Sequence, residues 1–345
     1  MGTLTKQLQR AAPAVLQSAP YQAVILYSTF ADWTPDDTQV SDEAVARMRR
    51  GLNSVGVQAQ PIAVRTKDLA SALRGLDPRA TVIFNWCEGL DGDPNAYDAV
   101  PPLLEALGYA YTGAGAWSLH VTQRKGVTKQ ILLDNKIPTP VSKIYERAVL
   151  NGWRRYPAIV KPANEHCSFG ITRDSVVDSP QQLKERVQYV LDTWHGPALV
   201  EDFIDGVEYN VSVWGNDNPQ VLPISAIDYT VFEDYHDRLV SFDAKWNPDS
   251  DAYRLMGVLC PAPLDPVLRR RIERVAVKAY QALRLRDYGR VDLRVRNGVP
   301  YVLDVNANPD ITMEGGFARS TRVAGYDYGR MSAQILSLAA ERRPV

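Results

Sequence analysis

The chain lacks the features that would place it in several large protein classes. It has three cysteines in 345 residues, Cys87, Cys167 and Cys260, which are far apart and odd in number and form no CxxC pair. That pattern argues against a zinc site or a disulfide framework and suits a reducing compartment, so a cytoplasmic location is expected. No apolar run approaches the ~20 residues needed to span a bilayer. Residues 1–20 lack the apolar centre of a signal peptide and read as an amphipathic lead-in helix. An excess of one charge is also missing: the formal net charge is −1, which gives no general attraction to nucleic acid or to an acidic membrane. No GxxxxGKS/T phosphate loop occurs. The run Thr112-Gly-Ala-Gly-Ala-Trp-Ser118 lacks both the third glycine and the place after a first strand that a dinucleotide fingerprint requires.

What is present reads as an α/β protein. Residues 21–28 form an apolar strand, and 41–56 a helix with an acidic first turn and a basic later one. Strands at 58–64, 81–85 and 109–111 follow, separated by helices near 67–75 and 97–107. This β-α-β-α alternation implies a parallel sheet with helices on both faces, in a first domain of roughly 120 residues. Later helices are expected at 180–194, 265–286 and 329–341. The arginines of the 265–286 helix read as solvated surface.

The stretch 288–306 carries the densest chemistry. Two apolar-alternating runs flank Asn297-Gly298, a β-hairpin signal. A two-residue turn would pair 292 with 303 and set Asp292 on the apolar face of its partner. We therefore expect an odd-length loop with Gly298 at a bulge. Tyr301, Leu303 and Val305 then join the apolar face, and Arg290, Asp292, Asp304 and Asn306 share the other. Two carboxylates and an amide on one face form a hard oxygen cluster of the kind magnesium prefers. The strand runs on into Asn306-Ala-Asn308-Pro309-Asp310 and Gly315-Gly316, a polar, glycine-bearing loop suited to a site.

Arg290-x-Asp292 followed by Asp304-x-Asn306-x-Asn308-Pro309 resembles the metal-binding end of ATP-grasp ligases, specifically the D-alanine–D-alanine ligase group. Further matches extend the resemblance over about residues 21–340. Lys125 lies on a helix after Tyr-Thr-Gly-Ala-Gly, and Lys161 ends an apolar strand before the small-residue loop 164–170. Glu201, Phe203 and Ile204 match the adenine-holding segment, and Glu208 the ribose carboxylate.

The resemblance implies an N-terminal parallel α/β domain (1–120), a central ATP-grasp subdomain (121–215) and a C-terminal subdomain with the metal site (216–345), with ATP held between the last two. It implies ATP with magnesium, two ions, manganese able to substitute. Lys125, Lys161, Glu201, Phe203, Ile204, Glu208 and Leu303 would serve ATP; Asp292, Asp304 and Asn306 the metal; Arg290, Lys245 and Ser168 catalysis. The reaction implied is carboxylate–amine ligation through an acyl phosphate, on two small molecules of amino-acid type and without nucleic acid or membrane; the group's frequent homodimer is implied as well.

The sequence departs from the group in its substrate region. Cys167 and Trp246 stand where the group has a serine and a tyrosine, Asp310 replaces a glycine, Gly315 a serine, and Asp304 the longer glutamate. Asp37, Glu88, Cys167, Trp246, Asn308, Asp310, Glu314 and Gly315 are the expected substrate residues. Asp310 and Glu314 should disfavour a substrate carboxylate and favour an amine. These departures favour a dipeptide or natural-product amide over D-Ala–D-Ala itself. A cyclase, a phosphotransferase that stops at the acyl phosphate, and a non-catalytic nucleotide-binding regulator are the other readings open to the sequence.

Overall fold

Three sheets, met in chain order, position everything else. The structure, a computed structural model, describes residues 21–93, 96–149 and 152–344, so the expected lead-in helix at 1–20 lies outside it. The first sheet joins β1 (Gln22–Ser28), β2 (Ala59–Val64), β3 (Thr81–Trp86) and β4 (Ala110–Tyr111) in the order β2-β1-β3-β4, all parallel. Its strands are buried on both faces, as parallel sheets must be. Ala23, Ile25, Val82 and Phe84 face α1 (Pro35–Ser54); Val24, Leu26 and Ile83 face the helix at Val100–Ala106. Helix α1 starts six residues earlier than its apolar period suggests. Thr34 and Asp37 form a reciprocal capping box and Pro35 takes the first turn, a start signal ahead of the expected one at residue 41.

The second sheet runs β5 (Ser142–Tyr145), β8 (Ala198–Asp202), β6 (Ala158–Pro162) and β7 (Val176–Val177), antiparallel throughout. Its period-2 pattern sorts two environments. Ala158, Val160, Ala198 and Val200 pack on the helix Pro180–Trp194, while Lys161 and Glu201 occupy the opposite face.

The third sheet is also antiparallel, with β12 (Gly257–Leu259), β11 (Ser225–Asp228), β9 (Glu208–Trp214), β13 (Tyr288–Arg296) and β14 (Val299–Asn306) in that order, and β10 (Gln220–Val221) beside β9. Val291, Leu293, Val302 and Val305 pack against the helix Pro266–Ala282. Among the described residues no helix is long and apolar enough to cross a membrane.

The expected hairpin register is half right. Arg296 pairs with Val299, so Asn297 and Gly298, both at positive φ, make a two-residue turn. The extra residue sits further in, where the register shifts between Asp292 and Leu293 and leaves Leu303 unopposed. Asp292 therefore faces Asp304, and Arg290 faces Asn306, as expected. Tyr301 and Leu303 turn to the polar side, and Val302 takes the core place they were assigned. An Asn-Gly turn fits the strand twist better than a longer loop, so the correction is made by a bulge where side-chain burial demands it.

The final helix, Tyr328–Ala340, packs back on the first domain through Ile335 and Leu336. Just beyond it, Arg342 donates two hydrogen bonds, at 2.7 and 2.6 Å, to Asp287, whose side chain is fully buried. Asp287 also accepts from the Gly113 N–H at 2.8 Å. Gly113 needs its positive φ, and a Cβ there would strike the Asn308 side chain at 2.5 Å. This junction ties the first domain to the hairpin. Arg342→Ala would strand a buried carboxylate, so we expect a loss of about 3–5 kcal/mol, with partial recovery on adding Asp287→Asn. A urea midpoint by tryptophan fluorescence that Arg342→Ala leaves unmoved would remove the junction from the stability account.

Candidate functional site

The polar face of the third sheet presents a row of charged groups because β9, β13 and β14 lie in register there. Asn210 pairs with Asp292 and Glu208 with Arg294 across one ladder, and Asp292 pairs with Asp304 across the next. Arg290 grips both Asp292 oxygens, at 2.7 and 2.8 Å. Asn210 and Asn306 each donate to the same carboxylate at 2.9 Å. Burial lowers the tendency of Arg290 to stay charged, but Asp292, Asp304 and Asp310 outweigh it and raise its pKa. Burial likewise works against an ionised Asp304, yet Lys125, His166 and Lys161 more than offset it, and its pKa is lowered.

Opposite this row lies a cluster of ammonium groups. Glu201, with 1% of its side chain exposed, is sandwiched between Lys161, at 2.7 Å, and Lys129, which pairs with its other oxygen. Lys129 also donates to Thr139 at 2.9 Å and to the Leu303 carbonyl at 3.4 Å, so the bulged residue is tied to the lysine cluster. Lys125 donates to the Glu165 carbonyl. Burial lowers the pKa of Lys125 and of Lys129. For Glu201 burial raises the pKa, but Lys129 and Lys161 overcome it and hold the carboxyl below its usual value. Three ammonium groups thus stand against two carboxylates, Glu201 and Asp304, an arrangement suited to phosphate oxygens.

The segment matched to the nucleotide base is apolar. Phe203 and Ile204 are buried, Phe203 among Ile159, Val176 and Leu239. The side chain of Glu201 is spent on the two lysines, so this residue could meet a base only through its backbone. Glu208 accepts from Arg294 at 3.0 Å and from the Tyr229 hydroxyl at 2.9 Å. Arg294 further donates to the Ile204 carbonyl at 3.1 Å.

The loop after Lys161 is fastened to the segment carrying Lys245. Ser168 donates to the Val240 carbonyl at 2.7 Å, and the Trp246 indole to the Cys167 carbonyl at 3.1 Å. Cys167 and Ser168 both sit at positive φ. The structure therefore brings Cys167 and Trp246 together, with Ser168 in the same loop, and Trp246 is 55% exposed. Lys245 is exposed on the helix Phe242–Trp246.

The substrate candidates separate into two groups. Glu88 lies near Asp310; although the residue is exposed, partial loss of water around its carboxyl raises the pKa first, and the Asp310 charge raises it further. Gly315 packs on Asp310, which leaves no room for a Cβ. Asn308 accepts from the Ala114 N–H at 2.9 Å and so serves the domain junction. Glu314 is exposed and paired with Arg47 of α1 at 2.8 Å. Asp37 spends its carboxylate on Thr34 in the capping box, roughly 15 Å along the same helix from Arg47.

Sequence reasoning missed Lys129, Arg294, Asn210, His166, Tyr97 and Arg47. Two of these had a signal: Lys129 is one helical turn from Lys125, and Arg294 continues the alternate row of Arg290 and Asp292. Among the described residues no group of three or more histidine, cysteine or acidic side chains could hold a metal ion. Two opposed carboxylates with an adjacent amide still fit magnesium, which takes one or two carboxylates and fills its octahedron with water and phosphate.

A family model described as D-ala D-ala ligase C-terminus matches residues 134–337. A D-alanine–D-alanine ligase of Desulforudis audaxviator is 30% identical over 300 residues, covering 84% of this chain and 90% of that protein. An uncharacterized protein of Sinorhizobium fredii, y4sG, is 31% identical over 263 residues, 76% of this chain and 75% of its own. The crystal structure of a D-alanine–D-alanine ligase from Bacillus anthracis complexed with ATP has a TM-score of 0.71 at 22% identity, over 94% of this chain and 98% of that one. That likeness establishes the shared fold.

The Glu201 sandwich sets an acid limit on stability. Its folded pKa lies below the ordinary 4.5, so its contribution is complete above that pH and fades as pH falls through the folded value. Glu201→Gln should cost about 3–5 kcal/mol at pH 7, because a buried lysine, Lys129, and a half-buried one, Lys161, lose their counter-ion, and it should flatten the loss of stability below pH 4.5. Urea midpoints from pH 3 to 7 that run parallel for the two proteins would contradict this account.

Proposed function

We propose a reaction for this chain on the premise that it belongs to the D-alanine–D-alanine ligase family of ATP-grasp enzymes. It is an ATP-dependent carbon–nitrogen ligase that joins a carboxylate to an amine, both of amino-acid type, through an acyl phosphate. The observation that carries the reading is the hairpin bulge, which sets Asp292 against Asp304 on the face opposite the Lys125, Lys129 and Lys161 cluster.

Lys125 and Lys161 hold the phosphates, with Lys129 fixing Glu201 so that Lys161 stays aimed. The base rests in the Phe203–Ile204 segment with Leu303 beside it, and Glu208 takes the ribose. Asp292, Asp304 and Asn306 would hold magnesium, which supplies charge neutralisation on the β- and γ-phosphates when bound. A substrate carboxylate oxygen bonds to the terminal phosphorus as the bond to ADP breaks. The amine nitrogen then bonds to the acyl carbon, inorganic phosphate leaves, and the amine proton passes to solvent. Arg290, half-buried and permanently charged, faces the oxyanion formed in that second step. Ser168 is already engaged with Val240, so its part is to shape the phosphate loop.

The substrate pocket is built from Glu88, Asp310, Gly315, Cys167 and Trp246. Arg47 is paired with Glu314, so the carboxylates left to face a substrate are Glu88 and Asp310, which favours the amine end of a substrate there. A terminal carboxylate, as in free D-alanine, would meet repulsion at that end.

With magnesium and ATP, a panel of D- and L-amino acids and amines should contain a pair that drives ADP release. Its product should have the mass of the two substrates less one water. Asp292→Asn should lower this rate at least ~100-fold, as loss of a charge-stabilising group in a preorganised site does. ADP release needing no second substrate, or unaffected by Asp292→Asn, would refute the ligase reading. In the same assay Asp310→Gly should shift preference toward amines that carry a free carboxylate, and an unchanged ranking would clear Asp310 of that role.

A further inference from the structure

A charge cluster that the ligation chemistry does not use joins the second sheet to the third. It is built on the strap 229–246, which leaves the third sheet after β11 and packs on the base-holding segment. Leu239 lies with Phe203, Ile159 and Val176, and the Tyr235 ring stands 6.0 Å from that of Phe203. His236 sits on this strap, its ring stacked on Tyr235 with centroids 4.2 Å apart. Its Nε2 is 2.8 Å from Asp178, just past β7, and its Nδ1 is 2.6 Å from Asp234. The Tyr235 hydroxyl donates to the other Asp178 oxygen. Arg173, from the turn after the phosphate loop, donates to Asp234 and Asp237. Further along, Arg238 donates to Asp205 of the base-holding segment at 3.4 Å.

An ionised carboxylate only accepts hydrogen bonds, so an imidazole with one at each ring nitrogen donates from both and carries a positive charge. Asp234 is held ionised by the His236 backbone N–H, the His236 ring and Arg173, which keep its carboxyl well below the usual range. Burial works against the charge on His236, but Asp234 and Asp178 overcome it and raise its pKa above the ordinary 6.5. A neutral ring would keep one N–H and turn a lone pair to the other carboxylate. Whichever nitrogen kept the proton, one link from Asp178 through the ring to Asp234 would change from attraction to repulsion. The bonds from Ser168 to the Val240 carbonyl and from the Phe242 N–H to the Ile171 carbonyl carry no such charge. Loss of the proton therefore loosens the strap without freeing it.

We propose that His236 is a pH-sensitive latch: as an imidazolium between Asp178 and Asp234 it holds the strap on the base-holding segment and slows nucleotide release. The proposal rests on the reading that ATP lies between the second and third sheets, and adds a control on its exchange. Because the folded-state pKa is raised, the latch is complete below pH 6.5 and is lost as pH rises through the raised value.

The test follows radiolabelled ATP leaving the full chain in magnesium, chased with unlabelled ATP, from about pH 6 to pH 9. The wild-type release rate should rise about threefold to fivefold over that range, the worth of a partly exposed ion pair. His236→Gln should release at the fast rate throughout, and His236→Arg, charged at every pH, at the slow one. A second readout needs no nucleotide. Hydrogen exchange of 229–246, taken as the ratio of His236→Gln to wild type, should exceed unity at the acid end and fall to unity at the alkaline end. A flat wild-type release profile, a pH step that survives in His236→Gln, or an exchange ratio of unity throughout would overturn the latch. A chain that binds no ATP would sink the nucleotide reading instead, and the exchange ratio would still decide the latch.

Discussion

One unopposed residue, Leu303, decides whether the cleft has a chemistry at all. With a two-residue turn at Asn297-Gly298, a regular ladder would set Asp292 opposite Leu303 and turn Asp304 to the apolar face. Burying that carboxylate against the helix Pro266–Ala282 would be prohibitive without a partner. The bulge cancels the slip after three further pairs, so Val302 and Val305 reach the core while Asp304 and Asn306 stay with Arg290 and Asp292. The same residue turns its carbonyl to Lys129. A single backbone irregularity thus aligns the acidic row and links it to the lysines across the cleft.

Those two groups of charge also explain each other's protonation. Lys125 and Lys129 lie where burial alone would weaken their hold on a proton, and Asp304 and Glu201 lie where burial alone would favour the neutral acid. Each sign is sustained by the other. For the two carboxylates the lysines prevail over burial, whereas for the two lysines the carboxylates offset burial only in part; fixed charges of opposite sign facing each other are what electrostatic preorganisation requires. Arg290 holds Asp292 with two hydrogen bonds while Asn210 and Asn306 fill the remaining directions. A cation approaching this carboxylate meets a ligand already aimed but not free, so the amide of Asn306 and the carboxylate of Asp304 offer the first coordination.

Local pattern made much of this legible and long-range packing made the rest illegible. Alternation in 288–306 revealed which face would carry Asp292 and Asp304, because period 2 is a property of the strand itself. It could not say where the compensating bulge would lie, since that depends on what the helix Pro266–Ala282 buries. The start of α1 was misjudged for the opposite reason: a capping box is a local signal, but the acidic-then-basic pattern that set the expected helix begins only at residue 41. Lys161 and Glu201 were legible as polar residues in apolar strands. Their pairing was not, since the two strands are forty residues apart and only the sheet sets Ile159 beside Glu201. The role of Asp287 was beyond sequence altogether, because Arg342 reaches it from the far end of the chain.

That last contact gives the first domain a stake in the hairpin. Asp287 immediately precedes β13 and has a positive φ, and it is held by Arg342 just beyond the terminal helix and by Gly113 from the loop after β4. Asn308, just past the other strand of the hairpin, holds Ala114 in the same loop. Both strands are therefore clamped where they meet the first domain, and the clamps lie within a few residues of Asp292 and Asn306. Rigidity near the acidic row has a purpose: two opposed carboxylates and an arginine must keep their separation while phosphate charge changes in front of them. A site on freely moving loops would relax toward each change, and that relaxation would cost the stabilisation the charges provide. The parallel domain thus serves the chemistry beyond the residues it lends to the cleft, by fixing the base of the strands on which that chemistry stands.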